Sequence, residues 1–262
     1  MGKVYWRSQE NTMQERDETP DILALGDSWL WYPANNLLNP VNRYSGEPTI
    51  LAYGDNGVES VELLHPSHFE PFRKSLAGYP SVRIVMLSAG GNDFAGLEDF
   101  EALLNPDCSG FTTPEACFRG DEPAKLLKVV LDAYREIIDK TLATRRKATV
   151  LVHNYDYAIP TGIGFLGLGQ WLKAPMDACQ VPAKGALKPG SLRRRVVSLL
   201  IDALGAGLKG LETEYSGKVI YVPTPGTLGD DDWANELHPT KSGFNRLGRD
   251  KFAAVVKGIL EA

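Results

Sequence analysis

Apolar and polar positions along this chain follow two different periods. Residues 21 to 26, 49 to 53, 82 to 88, 148 to 153 and 218 to 222 form compact blocks rich in Val, Ile and Leu. Short unbroken apolar runs of this kind predict strands covered on both faces, as in a parallel sheet. Between the blocks the spacing changes to three and four residues. Residues 122 to 146 set Leu127, Val130, Leu131, Tyr134, Ile137 and Ile138 on one side of a helix, and Asp121, Glu122 and Pro123 suit its first turn. The same pattern predicts helices over about 191 to 211 and about 241 to 261, with shorter ones after Gly57 and Ser67.

Strand and helix alternating in this way predict an α/β fold: a doubly wound α/β/α sandwich around five parallel strands, in one domain spanning residues 1 to 262. Residues 105 to 121 and 155 to 190 fit neither period. They are expected to be insertions that overhang the site. In open parallel sheets ligands bind beyond the carboxyl ends of the strands, so the polar residues at those ends carry the chemistry.

Ile22-Leu23-Ala24-Leu25 runs into Gly26-Asp27-Ser28-Trp29, a buried strand that delivers a serine into a tight turn. The second block is followed by Asp55-Asn56-Gly57 and the third by Gly90-Gly91-Asn92-Asp93. Beyond the fifth, a loop carries Asp230, Asp231, Asp232, Asn235 and His238-Pro239. Each segment alone is ordinary turn chemistry. Together they supply what a serine nucleophile needs: His238 as base, and the N–H groups of Ser28 and Gly57 with the Asn92 amide as oxyanion donors. The GxSxG elbow is absent, because Leu30 stands where its last glycine would be. His153, directly against an apolar strand, is a rival base but reads better as a buried structural histidine.

Composition narrows the partners. A net charge of -5 and a pI near 5.5 offer no general attraction to nucleic acid or to anionic membranes. No run approaches the roughly 20 apolar residues of a spanning helix, and residues 1 to 20 lack the order of a secretory signal. The chain therefore reads as soluble and cytoplasmic as it stands, or exported if a signal peptide has been removed. An oligomer stays open. Cys108 and Cys117 could close their loop as a disulfide in an oxidising compartment, or remain thiols like Cys179. His65 and His68 have neither thiols nor a zinc-binding pattern nearby, so no metal site is expected.

The four blocks Gly26-Asp27-Ser28-Trp29, Asn56-Gly57, Gly90-Gly91-Asn92-Asp93 and Leu237-His238-Pro239-Thr240 resemble, in order, those of the SGNH hydrolases, the GDSL esterase and lipase superfamily. The resemblance implies a flavodoxin-like three-layer fold, Ser28 as nucleophile and His238 as base. It also implies an oxyanion hole from Ser28, Gly57 and Asn92, and no metal or organic cofactor. The activity it implies is hydrolysis of esters or thioesters, of a small molecule, glycan or lipid, with acyl transfer in some members. The family places an acid three residues before the histidine, and here that position is Asn235. Its side-chain oxygen can orient the imidazole. Asp232 is the alternative orienter and a Ser-His dyad the third, while Glu236 is expected to point elsewhere.

Residues 161 to 172, with Ile163, Phe165, Leu166, Leu168, Trp171 and Leu172, read either as an apolar lid or acyl pocket or as a segment packed over the sheet or in a dimer contact. Trp29, Trp31 and Tyr32 could line a substrate subsite or belong to the core. A non-catalytic carbohydrate- or lipid-binding protein on the same fold is the competing class, made credible by Asn235.

Overall fold

The computed structural model describes residues 2–31, 35–165 and 170–262. Six strands form one parallel sheet: β1 (Val4–Trp6), β2 (Ile22–Gly26), β3 (Ile50–Gly54), β4 (Ile84–Ser88), β5 (Thr149–His153) and β6 (Val219–Val222), in the order β1-β3-β2-β4-β5-β6. The five apolar blocks are all strands. The expected five-stranded sheet gains β1, whose pairing places Val4 beside Ile50 and Trp6 beside Ala52. Val4, Tyr5 and Trp6 each favour extended backbone, but three residues in a polar terminal stretch are too few to show a period, and it is the edge of β3 that recruits them.

Every residue of β2 and β4 is buried, which explains why their sequences are uniformly apolar rather than alternating. The helices Pro66–Gly78, Glu122–Thr144 and Leu192–Glu214 pack together on one face of the sheet. Leu38–Tyr44 and the C-terminal helical run from Lys241 to Glu261 pack on the other. That last run is a single helical path with a π-turn at Gly248–Phe252. The observed Glu122–Thr144 and Leu192–Glu214 agree with the predicted spans to within a few residues, as helix ends defined by capping usually do.

From β2 the chain crosses first to β3 on one side and later to β4 on the other. The strand order therefore reverses beside β2. Gly26 lies level with Gly54 and Ser88 at the carboxyl edge of the sheet, and the turn after Gly26 opens into the crevice that this reversal creates.

Segment 105–121 contains the short helix Pro114–Cys117, which packs against Leu192–Glu214. The N–H of Cys108 donates to the carbonyl of Cys179 (2.9 Å), joining this segment to 155–190. Cys108, Cys117 and Cys179 are buried free thiols, and burial pushes the Cys108 thiol up to about 12. Among the described residues no helix is long and apolar enough to cross a membrane.

Candidate active site

Asp27 makes the turn after β2. Its Oδ1 accepts hydrogen bonds from the Trp29 N–H (3.0 Å) and the Ser88 hydroxyl (2.9 Å), and its backbone carbonyl accepts from the N–H groups of Leu30 and Trp31. This is the local bonding of an Asx turn, and it starts the short helix Ser28–Trp31 with Ser28 as its first residue. The Tyr155 hydroxyl donates to Asp27 Oδ2. Burial raises the Asp27 carboxyl to about 6, against the hydrogen bonds that lower it.

The loop before Lys241–Leu247 brings the histidine to this turn. A bridge between Trp233 and Pro239 closes the loop, and the indole N–H of Trp29 donates to the Leu237 carbonyl (2.9 Å). His238 Nε2 lies 2.7 Å from Ser28 Oγ, and Nδ1 lies 3.0 Å from Asn235 Oδ1. The same Oδ1 accepts from the backbone N–H of Leu237 (3.0 Å) and of His238 (2.8 Å). Only the carbonyl end of an amide can face N–H donors, so the orientation of Asn235 is determined by its neighbours. Nδ1 then carries the proton and the Nε2 lone pair faces the serine. Burial pushes His238 down to about 4, which leaves the imidazole neutral at neutral pH.

Asp232 is engaged elsewhere. Its Oδ2 accepts from the Gly229 N–H (2.9 Å) and pairs with Arg246 (3.1 Å). His153 belongs to the core: its Nδ1 donates to the Asn154 carbonyl (2.8 Å), its ring stacks on Trp29, and burial lowers it to about 4. Its Nε2 has no hydrogen-bond partner among the described residues.

The oxyanion candidates follow the carboxyl ends of β2, β3 and β4, and of the three Ser28 and Asn92 line one cavity. Gly57 has φ +76°, a left-handed conformation that side chains disfavour. The Asn92 amide donates to the Val58 carbonyl (2.8 Å), which uses one of its two protons. Asp93 accepts from the hydroxyl (2.5 Å) and N–H (2.9 Å) of Ser60, so the loops after β3 and β4 hold one another. Among the described residues, the N–H groups of Ser28 and Gly57 donate to no protein acceptor. Gly91 is required sterically, since a Cβ there would stand 2.8 Å from the Tyr155 ring.

A cavity of about 70 Å³ opens beside Ser28 and Asn92, and its walls are mainly apolar. Trp29 reaches it with one edge but is otherwise a core residue, packed edge-on against Tyr155 and Phe244. Trp31 packs against Trp6; Tyr32 lies outside the described residues. Trp171 stands edge-on to the His238 ring at 6.1 Å. Phe165 does not line the cavity and is 40% exposed, while Leu166 and Leu168 lie outside the described residues. Of the described residues in 161–172, Leu172 lines the wall, and segment 105–121 contributes nothing to it.

Three participants escape a reading of the sequence. Tyr155 follows a strand without any motif of its own. The helical stripe of Val197, Leu200, Ile201 and Leu204 lines the cavity but reads as ordinary core. Glu236 is engaged away from His238, as expected, and its carboxylate accepts from the backbone N–H groups of Gly162, Leu172 and Lys173. A carboxylate flanked by Asn235 and Leu237 was the available signal. Among the described residues no group of His, Cys, Asp and Glu is arranged to hold a metal ion.

No protein-family model matches the chain, and no curated protein matches it. Solved structures share its fold. They include the lipase Lip_vut3 from a goat rumen metagenome, with TM-score 0.56, 12% identity, and coverage of 88% of this chain and 94% of that one. The extracellular lipase of Streptomyces rimosus has TM-score 0.53 and 15% identity, covering 92% and 99%. A candidate SGNH hydrolase from Slackia heliotrinireducens has TM-score 0.51 and 13% identity, covering 94% and 100%.

Proposed function

We propose that this chain, whose fold is the one seen in SGNH hydrolases, is a serine hydrolase of that superfamily that cleaves carboxylic esters. The single observation that carries this reading is the chain of contacts from Ser28 Oγ through His238 Nε2 and Nδ1 to Asn235 Oδ1, at the strand-order reversal. A neutral imidazole accepting from a serine hydroxyl is what converts a weak nucleophile into an effective one.

In this reading His238 takes the Ser28 proton as Oγ attacks the ester carbonyl. The oxyanion is held by the N–H groups of Ser28 and Gly57 and by the second amide proton of Asn92. Imidazolium His238 protonates the leaving alcohol, and the C–O bond breaks to leave an acyl-Ser28 ester. Water, deprotonated by the same nitrogen, then attacks the acyl group, and Ser28 recovers its proton. Asn235 keeps Nδ1 protonated throughout, a role the geometry favours over Asp232. Nothing in this cycle calls for a metal or organic cofactor. The chain acts as one domain, with 105–121 and 155–190 as additions to the sheet.

A fluorophosphonate probe tests the reading. Mass spectrometry should find a single adduct on Ser28, absent from Ser28→Ala, together with turnover of p-nitrophenyl acetate that the same substitution abolishes. Folded protein that neither labels nor turns over would overturn it in favour of a binding module.

A further inference from the structure

The cavity beside Ser28 is mainly apolar. Asp27, Ser28 and Asn92 are among its lining residues, and Phe94, Phe100, Ala158, Leu172 and the 197–204 stripe supply hydrocarbon. An ester carbonyl held at Ser28 has two substituents, and only an apolar one would gain from this space. Its volume of about 70 Å³ lies well below the roughly 300–1,000 Å³ of pockets that take drug-sized ligands. A short acyl chain suits such a space better than a long one.

The wall contributed by Leu172 depends on an unusual anchor. Glu236 is fully buried. Its Oε1 accepts from the N–H of Gly162 (2.8 Å) and of Lys173 (2.9 Å), and its Oε2 accepts from the N–H of Leu172 (2.9 Å). The Glu236 N–H donates in turn to the Ile163 carbonyl (3.0 Å). Among the described residues no cation pairs with it within ion-pair distance. A buried carboxylate without a cation is costly, and here backbone N–H groups offset that cost. Those N–H groups belong to Gly162, Leu172 and Lys173, and Glu236 itself sits between Asn235 and Leu237. One side chain therefore sets the height of the cavity wall relative to His238.

We propose that this cavity is the acyl pocket for short-chain carboxylic esters, and that Glu236 is a positioning residue that holds Leu172 as its wall. The proposal rests on the ester-hydrolase reading above. Each buried methylene contributes about a factor of four. The pocket should therefore favour butyrate over acetate by about fifteenfold and turn sharply against octanoate.

The test is kcat and KM for p-nitrophenyl acetate, butyrate and octanoate with the full chain, Ala158→Leu and Glu236→Gln, each checked by thermal melting. Wild type should use butyrate at least about tenfold better than octanoate. Ala158→Leu fills the pocket and should lower the butyrate-to-acetate ratio about tenfold. Glu236→Gln presents an amide donor to a backbone donor, so the wall loosens. KM for butyrate should rise about tenfold with kcat within about threefold, a split that a general loss of folded protein would not produce. An octanoate optimum in the wild type overturns the pocket assignment. So does a chain-length profile unmoved by Ala158→Leu while Ser28 still labels. A butyrate KM unmoved in folded Glu236→Gln overturns the role of Glu236. Absence of both labelling and ester turnover in the wild type overturns the hydrolase reading itself.

Discussion

The side-chain oxygen of Asn235 lies 3.0 Å from Nδ1 of His238 and also accepts the backbone N–H groups of residues 237 and 238. One amide oxygen thus shapes the loop and orients the imidazole. It does so without a negative charge, so it fixes the tautomer but adds little electrostatic support for the imidazolium. Burial, unopposed by a carboxylate partner, is then the force that keeps the histidine pKa low.

Two substitutions at Asn235 separate these effects. Asn235→Ala removes the orienter and strands two backbone donors, and kcat should fall by about 10²–10⁴, approaching the loss known for a mis-set tautomer. Asn235→Asp supplies the missing charge and stabilises the protonated ring. The acid limb of kcat/KM, expected near pH 4 in the wild type from His238, should move to higher pH. A pH–rate profile of both proteins measures the shift.

Asn92→Ala should lower kcat by about 10²–10³ as one oxyanion donor is lost. KM should change little, because the ground-state carbonyl makes weaker use of the donor than the oxyanion does. The variant also leaves the Val58 carbonyl without its partner. Melting should therefore register a modest loss, on the order of 1 kcal/mol. Steady-state kinetics with p-nitrophenyl acetate checks the split.

Asp232 should behave as a structural residue. Asp232→Asn weakens the pair with Arg246 and the bond from Gly229, which should cost about 1–3 kcal/mol. That corresponds to a drop in melting temperature of about 2–4 °C per kcal/mol. The acid limb of the pH–rate profile should stay where it is. A shift of the limb would assign the orienting role to Asp232 instead.

His153 gives a prediction about stability in acid. Burial holds its folded pKa at about 4, below the ordinary imidazole value of 6.5. Between these values the unfolded chain binds a proton that the folded one does not, so stability is lost as pH falls from 6.5 towards 4. Asp27, raised to about 6, acts in the opposite direction over the range from 6 to 3.8. The difference between proteins isolates the histidine. His153→Phe should show a shallower decline, by up to about 1.4 kcal/mol per pH unit, in urea midpoints measured from pH 6.5 to 4. Its esterase activity at pH 7 should persist, because the ring is part of the core.

Most of the sheet was legible because parallel strands covered on both faces must be apolar throughout, and Ile22–Leu25 and Ile84–Leu87 are. The strand-end residues were legible because a serine, a glycine, an asparagine and a histidine recur where such sheets place ligands. β1 was not, since three residues in a polar stretch become a strand only when an open sheet edge offers hydrogen bonds. Within 161–172 the apolar residues read alike in the sequence, and it is packing that puts Leu172, whose backbone N–H is held by Glu236, in the cavity wall.

By itself the amino-acid sequence determined the α/β class and the placement of Ser28, Gly57, Asn92 and His238 beyond the carboxyl ends of the strands. Those follow from local periodicity and from residue types at turns. Only the tertiary structure decided which of Asn235 and Asp232 faces the imidazole, because that depends on Arg246 drawing Asp232 away. It alone decided the shape of the cavity and the anchoring of its wall. These arise from contacts between segments such as 162 to 173, Glu236 and the stripe at 197 to 204, which no periodicity within one segment can encode.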